Sequence, residues 1–268
     1  MRRSRLTGFV TSLLLAAGLG LTGAASAQAS STAAAGGYVA LGDSYSSGVG
    51  AGSYISSSGS CNRSTKAYPY LWNAANSPSS FAFNACSGAT TDDVLAGQLG
   101  SLNSSTSLVS ITVGGNDAGF ADVMTTCVTS SDSTCLSRID TAKAYVANTL
   151  PGKLDTVYNA ISAKAPSAQV VVIGYPRFYL LGQSCLGLSE TKRSAINGAA
   201  DYIDAAIKAR ATAHNFVFGD VRTTFSGHEI CSGNSWLHSV NWLDIGESYH
   251  PTASGQSGGY LPVFDNAA

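Results

Sequence analysis

The amino-acid sequence predicts an α/β protein with three layers, in which helices cover both faces of a mainly parallel sheet. Short β-rich runs alternate with longer stretches of helical periodicity, and this alternation is typical of βαβ units. Apolar residues make up 44% of the 268 residues and charged residues only 12%, so the chain can bury a sizeable core. No repeat or linker divides residues 35–268, which indicates a single domain there.

Five β-rich runs predict the strands, and two long stretches predict helices between the last three. The predicted strands are residues 38–41, 81–85, 108–113, 169–173 and 215–218. The helical stretches are residues 138–165, interrupted near Pro151, and residues 190–214, where Ala, Lys and Ile recur at helical spacing. The Ser- and Gly-rich residues 46–60 are expected to form a long loop.

Residues 1–34 have the layout of a secretory signal peptide and a processing segment. Arginines at the start precede an apolar run over residues 8–23 and then small residues. The run is short for a bilayer span, and no later stretch approaches the roughly 20 apolar residues that a span needs. We expect cleavage after Ala27 or Ala34, and favour a start near residue 35 because the first strand follows directly. The protein is therefore expected to be secreted and extracellular, without integral membrane association.

Removing this segment makes the chain more acidic. Without the three N-terminal arginines it has 12 basic and 16 acidic residues, a formal charge of −4. This charge argues against a nucleic acid as partner.

The six cysteines are expected to form three disulfides, because their number is even and the chain is exported. Sequence permits about 15 connectivities, and we favour pairing neighbours in order, since the polar stretch between Cys127 and Cys135 is short. A metal site is not expected, because there is no C-x-x-C pair and only one histidine lies near a cysteine, His228 three residues before Cys231. The favoured pairs are Cys61–Cys86, Cys127–Cys135 and Cys185–Cys231.

Polar or Gly-rich clusters follow the first three predicted strands, at residues 42–44, 86–90 and 114–117. Parallel sheets bind ligands beyond the carboxyl ends of their strands, so we expect these clusters to form one site. A fourth polar stretch, residues 247–252, precedes a Gly-rich tail that is expected to be helical. That tail can fold the stretch back over the sheet edge.

Four motifs in these clusters resemble the GDSL or SGNH hydrolase family. One tetrapeptide is a weak signal, but all four occur in the family's order and extend across essentially the whole chain after residue 34. The stretch from Val171 to Pro176 and the cysteine spacing are also similar to secreted lipases and esterases of streptomycetes. The resemblance implies the flavodoxin-like fold of SGNH hydrolases. The motifs are Gly42-Asp43-Ser44-Tyr45-Ser46, Gly88, Gly114-Gly115-Asn116-Asp117 and Tyr249-His250-Pro251-Thr252.

The resemblance implies that Ser44 is the nucleophile and His250 its general base. An N-cap serine is the alternative for Ser44 at a strand-to-helix turn. Ser44 does not stand in a G-x-S-x-G motif, because Ser46 occupies the position of the second glycine, so the α/β-hydrolase elbow does not hold this serine. The other histidines lie outside the family motifs and are interpreted as surface or core residues: His214, His228 and His238.

The family's oxyanion donors would be the backbone N–H groups of Ser44 and Gly88 and the side-chain amide of Asn116. Gly88 is alternatively a plain turn glycine, and Asn116 alternatively caps the next helix. Asp43 and Asp117 are interpreted as structural residues that hold their loops by hydrogen bonds.

One position departs from the family pattern. Many relatives have an aspartate three residues before the histidine to orient the imidazole, and this chain has Glu247. The side chain of glutamate is one methylene longer, so its carboxylate need not reach the same nitrogen. Some relatives hold the histidine through a main-chain carbonyl instead, for which Ser248 is the candidate here. The third member of the site therefore stays open.

These observations together predict a monomeric, secreted hydrolase that cleaves carboxylic esters of lipids through an acyl-enzyme, without a metal or cofactor. A carbohydrate O-deacetylase of the same family is the alternative among enzymes. A secreted binding module on the same scaffold is the alternative outside them, although such a module has no use for a base and an oxyanion pocket together.

Overall fold

The inner strands of the central sheet are short runs whose side chains are largely buried on both faces, whereas the edge strands are partly exposed. In the fourth strand, Val170 to Ile173 are at most 3% exposed, as expected for a parallel sheet covered by helices on both sides. The computed structural model describes residues 36–268; the predicted signal peptide and both expected cleavage positions lie outside the described residues. Within that range five strands are present: β1 Gly37–Gly42, β2 Phe81–Phe83, β3 Thr106–Thr112, β4 Gln169–Ile173 and β5 Val217–Gly219.

All neighbouring strands are parallel, in the order β2-β1-β3-β4-β5. This order is the flavodoxin-like arrangement, and the predicted α/β fold is confirmed. The helices are α1 Ser44–Ser47, α2 Tyr68–Asn76, α3 Thr91–Asp93, α4 Phe120–Thr129, α5 Asp132–Asn148, α6 Leu150–Lys164, α7 Glu190–Ala213 and α8 Leu261–Ala267. Across the described residues, none of these helices has the length and apolar character needed to cross a membrane.

The helices divide into two groups that cover the sheet. Helices α2 and α8 pack together against the ring of Tyr38, through Trp72 and Phe264. Helices α4, α5, α6 and α7 pack in sequence against one another, and α7 also contacts β4 and β5. Both groups contribute to one hydrophobic core with the sheet.

Several element boundaries differ from those predicted. The helical stretch predicted at 138–165 begins earlier, at Asp132, because Ser131 caps it by accepting a hydrogen bond from the backbone N–H of Thr134. It is interrupted at Thr149, where α6 begins with Pro151 in its first turn. Strand β5 begins at Val217 rather than at Asn215, since Asn215 has a left-handed φ of 58°.

The segments expected to be loops contain further helical turns. The polar stretch between Cys127 and Cys135 is mostly helical, because α4 ends at Thr129 and α5 begins only three residues later. Residues 46–60 include the end of α1 and a 3₁₀ turn at Ser56–Cys61. The Gly-rich tail is helical: a π turn at Gly255–Tyr260 leads directly into α8.

All six cysteines lie in the described range and are paired. The disulfides join Cys61 to Cys86, Cys127 to Cys135 and Cys185 to Cys231.

Candidate active site

The candidate site lies where the strand order reverses direction. Strand β1 has β2 on one side and β3 on the other, so the loops after β1 and β3 leave the sheet at its switch point. Ligands of open α/β sheets bind in this crevice. Ser44 follows β1 and Asn116 follows β3, which brings two of the predicted residues to the same crevice.

The turn after β1 requires glycine at position 42. Gly42 has a φ of +119°, and a Cβ atom there would collide with the backbone carbonyl of Thr112. The side-chain amide of Gln98 makes two hydrogen bonds to Gly42. Its Oε1 accepts from the Gly42 N–H at 2.7 Å, and its Nε2 donates to the Gly42 carbonyl at 2.9 Å. These contacts fix the exit of the strand and place Ser44 as the first residue of α1.

Asp43, rather than Ser44, caps this helix. Its Oδ1 accepts from the Tyr45 N–H at 3.0 Å and from the Thr112 hydroxyl at 2.6 Å. Its Oδ2 accepts from the Tyr175 hydroxyl at 2.5 Å. Burial raises the pKa of Asp43 to about 6, although these hydrogen bonds oppose the shift. Because the cap position is taken by the aspartate, the Ser44 hydroxyl remains available for another partner.

That partner is His250. Its Nε2 lies 2.7 Å from the Oγ of Ser44, across 206 positions of sequence. The histidine backbone is held by a short antiparallel pairing with His238: the His238 N–H donates to the His250 carbonyl, and the Tyr249 N–H to the His238 carbonyl, both at 3.0 Å. Tyr249 itself adopts a left-handed φ of 67°, and its carbonyl accepts from the Tyr45 hydroxyl at 2.8 Å. This strained residue turns the chain so that the imidazole faces the serine.

The other imidazole nitrogen, Nδ1, is buried and makes no hydrogen bond of good geometry. The backbone of residues 246–248 favours the protonated imidazole and so raises its pKa, Ser248 most strongly. Burial lowers the pKa of His250 from 6.5 to about 4, and the Ser248 carbonyl opposes part of that shift. The carboxylate of Glu247 instead accepts from the Tyr54 hydroxyl at 2.6 Å. The imidazole is therefore held neutral, which is the form that accepts a proton.

The loops after β2 and β3 are joined through Asn116 and Asp117. The Asn116 amide donates to the Ala89 carbonyl at 3.0 Å, next to Gly88. Asp117 accepts from the N–H and the hydroxyl of Thr91, at 3.0 and 2.6 Å. Asn116 does not cap α4, because Gly119 occupies the cap position.

The backbone conformation at position 88 favours glycine. It has a φ of +79°, and a Cβ atom built there would meet no protein atom within 4 Å. A side chain would therefore be strained and would project into open space beside the loop.

Two cavities adjoin these loops. The first, about 720 Å³ including its open mouth, has Ser44 and Asn116 at one end, and α4, α5 and α7 supply a mostly apolar wall. Representative wall residues are Phe120, Met124, Val146 and Ile203 from these helices, and Phe178 from the segment between β4 and α7. The second cavity lies beside Gly88 and is polar. Its lining includes Arg63, Asn84, Asp93 and Gln98.

The other histidines have structural partners. His214 Nε2 lies 2.9 Å from Asp155, His238 Nε2 lies 2.8 Å from the Gly50 carbonyl, and His228 stacks on Trp236. Only His238 is near the site, through its backbone pairing with His250. Within residues 36–268, no three His, Cys, Asp or Glu side chains are grouped so as to hold a metal ion.

Sequence reasoning did not single out the residues that support the loops. Gln98, Thr112 and Tyr175 contact Gly42 and Asp43 from 56, 69 and 132 positions away. Nothing in their local sequence marks them, because their role depends on which strands become neighbours.

Comparison with known proteins gives concordant results. Residues 40–257 match the model of the GDSL-like lipase/acylhydrolase family. The chain is 74% identical to "Lipase 1" of Streptomyces coelicolor, over all of both chains. Among solved structures, phospholipase A1 from Streptomyces albidoflavus NA297 is 67% identical with a TM-score of 0.87, covering 88% of this chain and 100% of that one. An extracellular lipase from Streptomyces rimosus is 65% identical with a TM-score of 0.85, covering 87% and 100%.

Proposed function

Because the chain belongs to the GDSL-like lipase/acylhydrolase family, we propose that it is a secreted serine hydrolase that cleaves the carboxylic esters of lipids. One observation carries the proposal: Ser44, whose Oγ lies 2.7 Å from His250 Nε2, lines an apolar cavity. The bond supplies an activated nucleophile, and the cavity can take a hydrocarbon chain. The similar proteins are named lipase or phospholipase A1, and both names denote the hydrolysis of lipid esters.

In the first half of the reaction Ser44 Oγ attacks the ester carbonyl while His250 Nε2 accepts its proton. The resulting imidazolium then protonates the leaving alcohol, and an acyl-enzyme remains on Ser44. In the second half, water attacks the acyl carbon, His250 accepts the water proton, and the fatty acid leaves as Ser44 recovers its own. A neutral imidazole at rest suits this sequence, since burial lowers the pKa of His250.

Negative charge develops on the carbonyl oxygen in each attack. The proposed donors are the backbone N–H groups of Ser44 and Gly88 and the Asn116 amide. The Ser44 N–H lies at the start of α1, where the first N–H groups of a helix lack intrahelical partners. Asn116 now donates to the Ala89 carbonyl, and its second amide hydrogen is free to point at the substrate.

The Ser248 carbonyl is proposed to orient His250. The structure records no hydrogen bond to this oxygen from another backbone group, whereas the Glu247 carbonyl already accepts from the His250 N–H at 3.1 Å. While Nε2 accepts from Ser44, the neutral imidazole carries its hydrogen on Nδ1, and this N–H can donate to the Ser248 oxygen both then and when the imidazole becomes charged. We thus propose a Ser-His pair supported by a backbone carbonyl, without a side-chain carboxylate.

The two cavities support a lipid ester rather than an acetylated sugar as substrate. The apolar lining offers nothing to an acetyl group beyond its methyl, whereas a longer acyl chain would bury methylenes against it, at about 0.8 kcal/mol each. The polar cavity beside Gly88 suits the alcohol part of the ester. We also propose that residues 1–34 are removed and that the protein is exported as a monomer.

A series of p-nitrophenyl esters tests this function. We expect kcat/KM to rise from the acetate to esters with longer chains. Turnover of the acetate alone would favour a deacetylase, and no turnover would favour a binding module. As a matched test of the cavity, Ala118→Phe narrows its wall and should lower long-chain turnover while sparing the acetate.

A further inference from the structure

The segment just before His250 exposes large apolar side chains to solvent. We name residues 241–248 the rim loop; they include the 3₁₀ turn Ile245–Glu247. Trp242, Leu243 and Ile245 are 74%, 99% and 64% exposed. Single exposed apolar residues are ordinary, but three large ones within four positions form a patch that calls for a partner.

The rim loop is held together by its own hydrogen bonds. Its ends are joined by the Asn241 N–H, which donates to the Ser248 hydroxyl at 2.8 Å. Inside it, Asn241 Oδ1 accepts from the N–H groups of Leu243 and Asp244, at 3.1 and 3.3 Å. The polar groups of the loop therefore satisfy one another, and the apolar side chains are presented outward by a hydrogen-bonded frame.

The rim loop is also fastened to the edge of the candidate active site. Its Glu247 carboxylate accepts from the Tyr54 hydroxyl, and that hydroxyl oxygen accepts from the Gly50 N–H at 2.9 Å. Gly50 follows α1, which begins at Ser44, and its carbonyl accepts from His238. The loop ends two residues before His250, so these contacts hold it close to the Ser44–His250 pair.

We infer that the rim loop inserts Trp242, Leu243 and Ile245 into the surface of aggregated lipid and so brings the mouth of the site to its substrate. This inference rests on the proposed function, because lipid esters are present in water as aggregates. Tryptophan is enriched where proteins meet the membrane interface, since its ring is apolar and its N–H can stay hydrated. A second copy of the chain is a poorer occupant, because three side chains bury far less than the roughly 1,000 Å² of a stable interface.

The charge of the loop specifies which lipid surface it suits. The loop contains Asp244 and Glu247 and no basic residue, so an anionic surface would repel it. We therefore expect docking to zwitterionic lipid in preference to anionic lipid.

Vesicles of ether-linked phosphatidylcholine test the inference, because they have no carboxylic ester to cleave. The secreted protein should co-sediment with them, and Trp242→Ser combined with Leu243→Ser should weaken that binding by roughly ten- to a hundredfold. Hydrolysis of soluble p-nitrophenyl acetate should stay within about twofold of wild type. Leu186→Ser is the matched control, since Leu186 is 98% exposed but lies outside the loop.

Tryptophan emission gives a second readout. Of the three tryptophans, Trp72 is buried and Trp236 stacks on His228, so a blue shift on adding vesicles should come from Trp242. Trp242→Phe should remove the shift and retain binding. If the double variant loses acetate turnover, Leu243→Ser alone serves as the test.

Two results would overturn the inference: vesicle binding that the loop variants leave unchanged, or a loop-dependent dimer that does not bind vesicles. Failure of the proposed function is distinguishable from both. Vesicle binding can be measured with Ser44→Ala, so it does not depend on turnover. An absence of ester hydrolysis would leave docking intact, and an absence of docking would leave hydrolysis of soluble esters intact.

Discussion

The carboxylate of Glu247 accepts a hydrogen bond from the hydroxyl of Tyr54, with 2.6 Å between the two oxygens. Burial and this carboxylate raise the pKa of Tyr54 to about 12, so the phenol stays protonated and donates. Glu247 stands three residues before His250, where the sequence comparison with the family leads one to expect an aspartate that orients the histidine. Its carboxylate is engaged by Tyr54, which supports the proposal that the Ser248 carbonyl orients His250.

Glu247→Gln is accordingly expected to lower kcat/KM less than tenfold, because the Ser248 carbonyl survives any side-chain substitution. Tyr54→Phe removes the same hydrogen bond from the other side and should have an equally small effect. A loss near 10⁴-fold, the size seen when a serine-protease triad loses its aspartate, would instead restore a Ser-His-Glu triad. Steady-state kinetics on a soluble ester, with a check of the melting temperature, measures both variants.

Asn116→Ala is expected to lower kcat by roughly 10²- to 10³-fold with little change in KM, the usual cost of one oxyanion donor. The variant also loses the hydrogen bond to Ala89, which should cost only about 1 kcal/mol of stability. Full activity with early melting would mean that the residue only supports its loop. Thr91→Val is the control, because it removes one hydrogen bond between the same two loops and keeps the Asn116 amide.

The pH dependence should reflect the burial of His250. The base works only when neutral, and its pKa is lowered to about 4, so kcat/KM on a soluble ester should persist well below pH 6. An acid limb centred at pH 6.5 or above would contradict this.

The same shift has a consequence for stability. In the unfolded chain the imidazole binds its proton near pH 6.5, before the folded protein does, so this histidine destabilises the fold as pH falls from about 6.5 to 4. The shifted pKa of Asp43 changes the stability of the fold in the opposite direction with pH. Its folded pKa of about 6 means that its ionisation costs stability as pH rises from 3.8 towards 6. Melting temperatures of His250→Gln should therefore fall less than those of wild type between pH 6.5 and 4.

Removing the Cys61–Cys86 disulfide should affect stability and turnover together. It closes a sequence separation of 25, and loop-closure entropy gives a cost of about 3.5 kcal/mol, against about 2.5 kcal/mol for the separation of 8 between Cys127 and Cys135. Cys86 lies two residues before Gly88, and the Ser87 N–H donates to the Cys61 carbonyl at 3.1 Å. Replacing both cysteines by serine should also lower kcat about ten- to a hundredfold through a displaced Gly88. The Cys127/Cys135 double variant should lose stability and retain kcat; a reversed pattern would contradict the position given to Gly88.

Much of the fold could be predicted because it depends on local pattern. Buried runs such as 169–173 are strand-like on their own, and the long helix α7 shows its periodicity in sequence. Boundaries were less predictable where one cap decides them, as at Ser131, or where one residue adopts a left-handed backbone, as at Asn215. Helix α4 was not predicted, although its buried residues Val123, Met124 and Cys127 have helical spacing, because it is only ten residues long and no side-chain cap marks its start at Gly119.

Some features of the candidate site could likewise be predicted from local sequence, and others could not. Motif text pointed to Ser44, Asn116 and His250, because the family resemblance is carried by short contiguous stretches. It could not reveal that Asp43 rather than Ser44 caps α1, since both residue types favour that position. Nor could it reveal the apolar cavity, whose walls come from three helices that meet only in the folded chain.

The central claim is that Ser44 is the nucleophile of the Ser44–His250 pair, and covalent labelling tests it most directly. A p-nitrophenyl alkylphosphonate should phosphonylate one serine, which peptide mapping by mass spectrometry should locate at Ser44, with complete loss of ester turnover. The neighbouring Ser46 hydroxyl is buried and bonded to Tyr68 and Thr112, so it should remain unlabelled. Ser44→Ala should take up no label and lose turnover by roughly a millionfold. A label on another residue that abolishes activity, or an unlabelled protein that has lost activity, would contradict the account.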